Sequence, residues 1–171
     1  MKRSRAVFLA LAALLPISTI AVAQAPATII LVRHAEKGGE AGDRDPELTE
    51  AGHNRAVALA QMLGDAGVTT IYSTPFLRTR NTAAPLAGRL GIEITVTPIT
   101  RTFTEDMAAT LRTHMGETVL VVGHSNTVPG LITALGAGPM EDLRDDEYSW
   151  LFVVTLEPGG EASLVKLRYG S

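Results

Sequence analysis

The chain has 171 residues, carries a formal net charge of −3 and contains no cysteine. Cysteine nucleophiles, thiolate metal sites and disulfide staples are excluded, so any chemistry must come from histidine, serine or carboxylates. The acidic balance also argues against nucleic-acid binding through a broad basic surface.

Lys2, Arg3 and Arg5 precede an apolar stretch from Ala6 to Leu15, and Ala21-Val22-Ala23 follows as a run of small residues. This pattern reads as a signal peptide over residues 1–23 that is cleaved on export, giving a periplasmic or secreted protein. Cleavage after Ala23 is preferred to cleavage after Ala25, where Pro26 would constrain the backbone at the scissile bond. The alternative is a retained membrane anchor, but Pro16, Ser18 and Thr19 leave the uninterrupted apolar part shorter than the roughly 20 residues a spanning helix needs. After cleavage no membrane association is expected. The segment removes three basic residues, so residues 24–171 carry about −6 and, at about 148 residues, are long enough for one domain.

Thr28-Ile29-Ile30-Leu31-Val32 predicts a buried first strand that delivers Arg33-His34-Ala35 at its C-terminal end. Open α/β sheets build their ligand crevices there. A polar, Gly-rich stretch at 37–46 leads to a helix over 48–66, in which Ala56, Leu59, Ala60 and Leu63 recur at helical spacing. Thr49 is placed to cap it and Gly64 or Gly67 to end it. A short strand over 68–72 precedes Ser73-Thr74-Pro75 and a helix that carries Arg78 as far as Leu90, where Gly91 stops it. A third strand over 92–96 and a third helix over 105–114, with Met107 and Leu111 inward, lead to the fourth strand. That strand, Thr118-Val119-Leu120-Val121-Val122, ends in Gly123-His124-Ser125-Asn126 and brings a second imidazole to a strand end. A helix over 128–135 follows, and strands over 148–156 and 162–169 flank Glu157-Pro158-Gly159-Gly160 as a closing hairpin. The alternation predicts an α/β fold, a three-layer α/β/α sandwich whose sheet is mostly parallel with an antiparallel edge.

Four segments carry the chemistry: Val32-Arg33-His34-Ala35-Glu36-Lys37, Leu48-Thr49-Glu50-Ala51-Gly52, Tyr72-Ser73-Thr74-Pro75-Phe76-Leu77-Arg78-Thr79-Arg80-Asn81-Thr82-Ala83, and Val122-Gly123-His124-Ser125-Asn126. In this order they resemble the histidine phosphatase superfamily, the phosphoglycerate-mutase-like group, and in particular its short bacterial members related to phosphohistidine phosphatases. One departure is Ala35, where the family usually has glycine. The resemblance implies that His34 is a nucleophile that becomes a phosphohistidine, with Arg33, Arg78 and His124 holding the phosphoryl group. It also implies hydrolysis of a phosphomonoester or phosphoramidate, with a small phosphorylated substrate as partner.

The residue types suit that chemistry independently. A phosphate monoester carries about two negative charges near neutral pH, and its transferring phosphoryl needs in-line positioning and cationic donors. Two guanidinium forks supply bidentate donors that stay charged. The backbone N–H of Ser125, at a helical turn, is a further phosphate donor. His34, Glu36 and His124 are metal ligands by type, but two neighbouring arginines would repel a divalent cation, so neither metal nor organic cofactor is expected.

The leaving group needs a proton, and the candidates are Glu105 and Asp106, whose first-turn positions equally suit helix capping and the helix dipole. Lys37 and Asn126 are candidate rim contacts. Arg80, His53 and His114 read as surface residues, Trp150 and Phe152 as core, and Glu141, Asp142, Asp145, Asp146 and Glu147 as a solvated acidic loop. The rival readings are a protein phosphohistidine phosphatase and a non-catalytic phosphate-binding module.

Overall fold

A computed structural model describes residues 24–40 and 42–170, so the expected signal peptide lies outside the described residues. The chain runs β1 (Ala27–Arg33), α1 (Glu50–Leu63), β2 (Val68–Ser73), α2 (Leu77–Leu90), β3 (Ile94–Val96), α3 (Phe103–Leu111), β4 (Thr118–Gly123), α4 (Thr127–Ala134), β5 (Trp150–Leu156) and β6 (Ala162–Arg168). The strands form one sheet in the order β3-β2-β4-β1-β5-β6. The first four strands in that order are parallel to one another, while β5 pairs antiparallel with both β1 and β6. The sheet is therefore mostly parallel with an antiparallel edge.

The central strands are apolar on both sides because each side is covered by helices. Ile30, Val32, Leu120 and Val122 face α1 and α2, packing with Leu59, Leu63 and Leu86. Ile29, Leu31, Val119 and Val121 face α3 and α4, packing with Met107, Leu111, Leu131 and Ile132. Thr49 caps α1 by accepting a hydrogen bond from the Gly52 N–H. Gly91 ends α2 in the left-handed region at φ 67°. At Gly52 the carbonyl of Glu36 approaches so closely that a Cβ would lie 2.2 Å from its oxygen, so the motif glycine lets α1 pack onto the loop that follows His34.

Several element boundaries move from their expected places, α1 among them, which runs Glu50–Leu63; three shifts bear on the site or its neighbours. β3 starts at Ile94, because the N–H of Ile92 is taken by the Ala87 carbonyl in the turn that closes α2. α3 starts at Phe103, a buried residue that anchors the first turn ahead of the acidic pair. β5 starts at Trp150, leaving Tyr148 in the preceding loop.

Candidate active site

β1 and β4 are neighbours in register, with Arg33 opposite Gly123, so the residues that follow them emerge side by side at one edge of the sheet. The ring centroids of His34 and His124 are 5.4 Å apart. Gly123 permits the close turn into α4: a Cβ there would meet the Thr127 hydroxyl at 2.7 Å. That hydroxyl accepts from the His124 backbone N–H. β2 ends beside β4, which brings Thr74 and the start of α2 to the same edge.

His34 is almost wholly buried. Its Nδ1 lies 2.8 Å from the Ala35 carbonyl oxygen, an acceptor only, so Nδ1 carries the proton and Nε2 keeps its lone pair. Burial, together with the charges of His124, Arg33 and Arg78, lowers the imidazole to about 3, although the Ala35 carbonyl works in the opposite direction. The ring is thus neutral, in one fixed tautomer, at any ordinary pH. Thr82 holds the adjoining turn: its hydroxyl accepts from the Ala35 N–H and donates to the Arg78 carbonyl, tying the His34 loop to α2.

His124 is lowered to about 4, first by burial and then by Arg78 and Arg33. Its Nε2 lies 2.9 Å from the Thr74 hydroxyl, which lies 2.8 Å from that of Thr79. Thr79 donates to the carbonyls of Phe76 and Thr74. With that proton spent, Thr74 must donate to Thr79 and accept from His124, so Nε2–H is the protonated nitrogen of the neutral ring. Nδ1 has no protein partner among the described residues. It becomes a donor only when the ring takes up a second proton.

Arg33 is buried and Arg78 partly so, and both are incompletely paired. Arg33 is 3% exposed, donates through Nη1 to the Arg144 carbonyl at 2.6 Å, and lies 4.2 Å over the Tyr148 ring. Arg78 lies 4.3 Å over the Phe76 ring and 3.6 Å from the Asp45 carboxylate. Nε of Arg33, and Nε and Nη1 of Arg78, are buried with no hydrogen-bond acceptor. Desolvation depresses the Arg78 guanidinium, partly offset by Asp45. Buried donors left unmatched next to a second guanidinium favour an anion between them.

These groups wall an open cavity of about 340 Å³, together with Lys37, Ile99, Ser125, Asn126 and Asp145. The structure therefore brings together Arg33, His34, Arg78, His124 and Ser125, and places Lys37 and Asn126 at the rim. It does not bring Glu105 or Asp106 there. Their carboxylates accept hydrogen bonds from Thr104 and Thr102 beside the first turn of α3, and they line two other depressions. That is the helix-end role their positions also offered. Glu36 is likewise turned away, gripped by Arg55 through three contacts of 2.7–3.0 Å, so the donor trio His34, Glu36 and His124 does not assemble.

Arg80 and His53 are exposed, as expected. His114 is not a free surface residue, because its ring bridges Glu117 and the Tyr72 hydroxyl at 2.8 and 2.9 Å. Sequence reasoning missed Thr74, Thr79, Asp45, Arg144, Asp145 and Tyr148. Thr74 and Thr79 were within reach, since both fall inside the motif that presents Arg78.

Residues 29–102 match the Histidine phosphatase superfamily (branch 1). A stretch of 71 residues is 41% identical to Phosphoserine phosphatase 1 of Hydrogenobacter thermophilus, covering 39% of this chain and 34% of that protein. The match thus spans about a third of the curated relative's length. Among solved structures, the protein histidine phosphatase SixA complexed with tungstate has a TM-score of 0.66 at 21% identity, covering 82% of this chain and 96% of that one. The mycobacterial glucosyl-3-phosphoglycerate phosphatase complexed with VO3 has a TM-score of 0.63 at 18% identity, covering 81% and 96%. At these identities the two structures share the fold.

Proposed function

We propose, from the match of residues 29–102 to the histidine phosphatase superfamily, that the chain is a member that hydrolyses a small phosphomonoester or phosphoramidate in two steps through phospho-His34. The observation that carries this reading is the set of unmatched buried guanidinium nitrogens on Arg33 and Arg78, beside an imidazole whose Nε2 is unprotonated. Cationic forks at that depth suit the equatorial oxygens of a transferring phosphoryl group, and the free lone pair suits in-line attack on phosphorus.

In the first step Nε2 of His34 forms the N–P bond as the leaving oxygen departs. Arg33 and Arg78 hold the phosphoryl oxygens throughout. An arriving dianion raises the His124 imidazole, which takes up a proton on Nδ1 and becomes a third donor. In the second step water attacks phosphorus and His34 recovers its lone pair. The guanidiniums supply the charge neutralisation, so the proposed chemistry needs no metal.

The name of the 41% identical relative points to a phosphomonoester, and that of one structural neighbour to protein phosphohistidine. Rates on phosphorylated protein against small esters separate these substrate classes. The basic, apolar and small-residue pattern of residues 1–23 supports placing the activity outside the cytoplasm. N-terminal sequencing of the exported protein is expected to begin at Gln24, and an intact Met1 would reject that placement.

The central test is rapid quenching during turnover of a phosphoester, followed by mass spectrometry. It is expected to find a phosphoryl adduct on His34 that is stable to alkali and labile to acid. The same adduct on the His34→Ala variant would overturn the mechanism.

A further inference from the structure

We propose that Asp145 is the proton donor to the leaving group, and the acceptor of the water proton in the second step. This assignment rests on the phosphatase reading above. Among the residues that wall the His34 cavity, Asp145 has the one carboxyl group. The other polar side chains there are committed or stand apart: His34 attacks, His124 and the guanidiniums hold phosphoryl oxygens, and Lys37 sits at the exposed rim.

The placement of Asp145 is built into the fold. The loop joining α4 to β5 is fixed at one end by buried Leu143, whose N–H donates to the Ser125 carbonyl. At the other end Glu147 accepts from the Trp150 indole and from the Arg144 N–H. Between these anchors the Arg144 carbonyl takes a hydrogen bond from Arg33, and the Asp145 carboxylate stands 3.9 Å from Nη2 of the same guanidinium. The Asp145 side chain itself is fully exposed and makes no closer polar contact among the described residues. A phosphoryl oxygen gripped by Arg33 lies about 3 Å from the guanidinium, so the bridging oxygen of a bound ester comes within reach of this carboxyl.

In the loaded site the carboxyl stands beside the phosphoryl group held by Arg33 and enters the step in its acid form. The P–O bond then breaks as the Asp145 proton passes to the leaving oxygen, releasing neutral alcohol and leaving a carboxylate. When water attacks phosphorus, that carboxylate accepts the water proton as the N–P bond breaks, which restores both residues.

The test is kcat/KM for aryl phosphates whose leaving groups run from dinitrophenol to phenol, measured for the wild type, Asp145→Asn and Asp145→Glu. Asp145→Asn is expected to lose about 100-fold on phenyl phosphate, to stay within about threefold on dinitrophenyl phosphate, which needs little protonation, and so to depend more steeply on leaving-group acidity. Asp145→Glu is expected to recover most of the loss. A uniform loss across the series would overturn the assignment while leaving the phosphatase reading intact, since a group that only positions Arg33 serves every leaving group alike. Absence of wild-type turnover on all esters, with no adduct on His34, would overturn both.

Discussion

Arg55 and Arg78 have almost equally buried side chains, 15% and 14% exposed, yet their surroundings are opposite. Every nitrogen of the Arg55 fork has an acceptor: Glu36 takes Nε and Nη2, and the carbonyls of Tyr169 and Gly170 take Nη1. The pairing also raises Arg55, with the Glu36 hydrogen bonds as the largest cause, whereas burial lowers Arg78. Arg78 leaves two nitrogens without acceptors and rests on an aromatic face. A buried guanidinium whose partners are all supplied by the chain is a clamp on the chain, here joining the His34 loop, α1 and the C-terminal residues. One whose partners are missing stores binding capacity for an anion from outside.

Breaking each arginine separates the two roles. Arg78→Lys exchanges a planar fork for a point charge, and kcat/KM is expected to fall about 10²–10³-fold, or about 3–4 kcal/mol of transition-state stabilisation, with melting temperature little changed. Arg55→Met leaves the Glu36 carboxylate half-buried without its partner and strands two carbonyls. A loss of about 3 kcal/mol of stability is expected, with activity per folded molecule nearly preserved. Kinetics and thermal unfolding on both variants decide the matter. If Arg55→Met loses turnover as severely as Arg78→Lys with an unchanged melting temperature, the division fails.

The same contrast explains how far the sequence could be read. Arg33, His34 and His124 were legible because each sits immediately after an apolar run, where sheet geometry fixes the residue's place before any other contact is known. Ala56, Leu59 and Ala60 declared a helix face by spacing alone. Asp145 and Tyr148 carried no such signal. They reach Arg33 because β5 pairs with β1 across more than a hundred residues of chain, and the loop before β5 has no periodicity to read. Glu105 and Asp106 show the converse error: an acidic pair at a helix start satisfies capping and catalytic chemistry equally well in sequence, and only the position of α3 on the sheet separates them.

The smallest effect tests the electrostatics of the anion pocket. His34 and His124 are lowered to about 3 and about 4, against an ordinary value of 6.5. The unfolded chain therefore binds more protons than the folded one below about pH 6.5. Stability from this source is complete above that pH and declines as pH falls toward the folded values. A bound dianion opposes that shift at His124, because it favours the imidazolium that burial, Arg78 and Arg33 otherwise suppress. By linkage, anion binding must then take up a proton and strengthen as pH falls. Sulfate keeps its charge across this range, so the rise in melting temperature at fixed sulfate concentration is expected to be larger at pH 5.5 than at pH 8. The difference should shrink in His124→Gln, which cannot gain the second proton. An equal rise at both pH values in the wild type would mean that the two guanidiniums hold the anion without help from His124, and the pocket would then be a two-cation site with a neutral histidine at its wall.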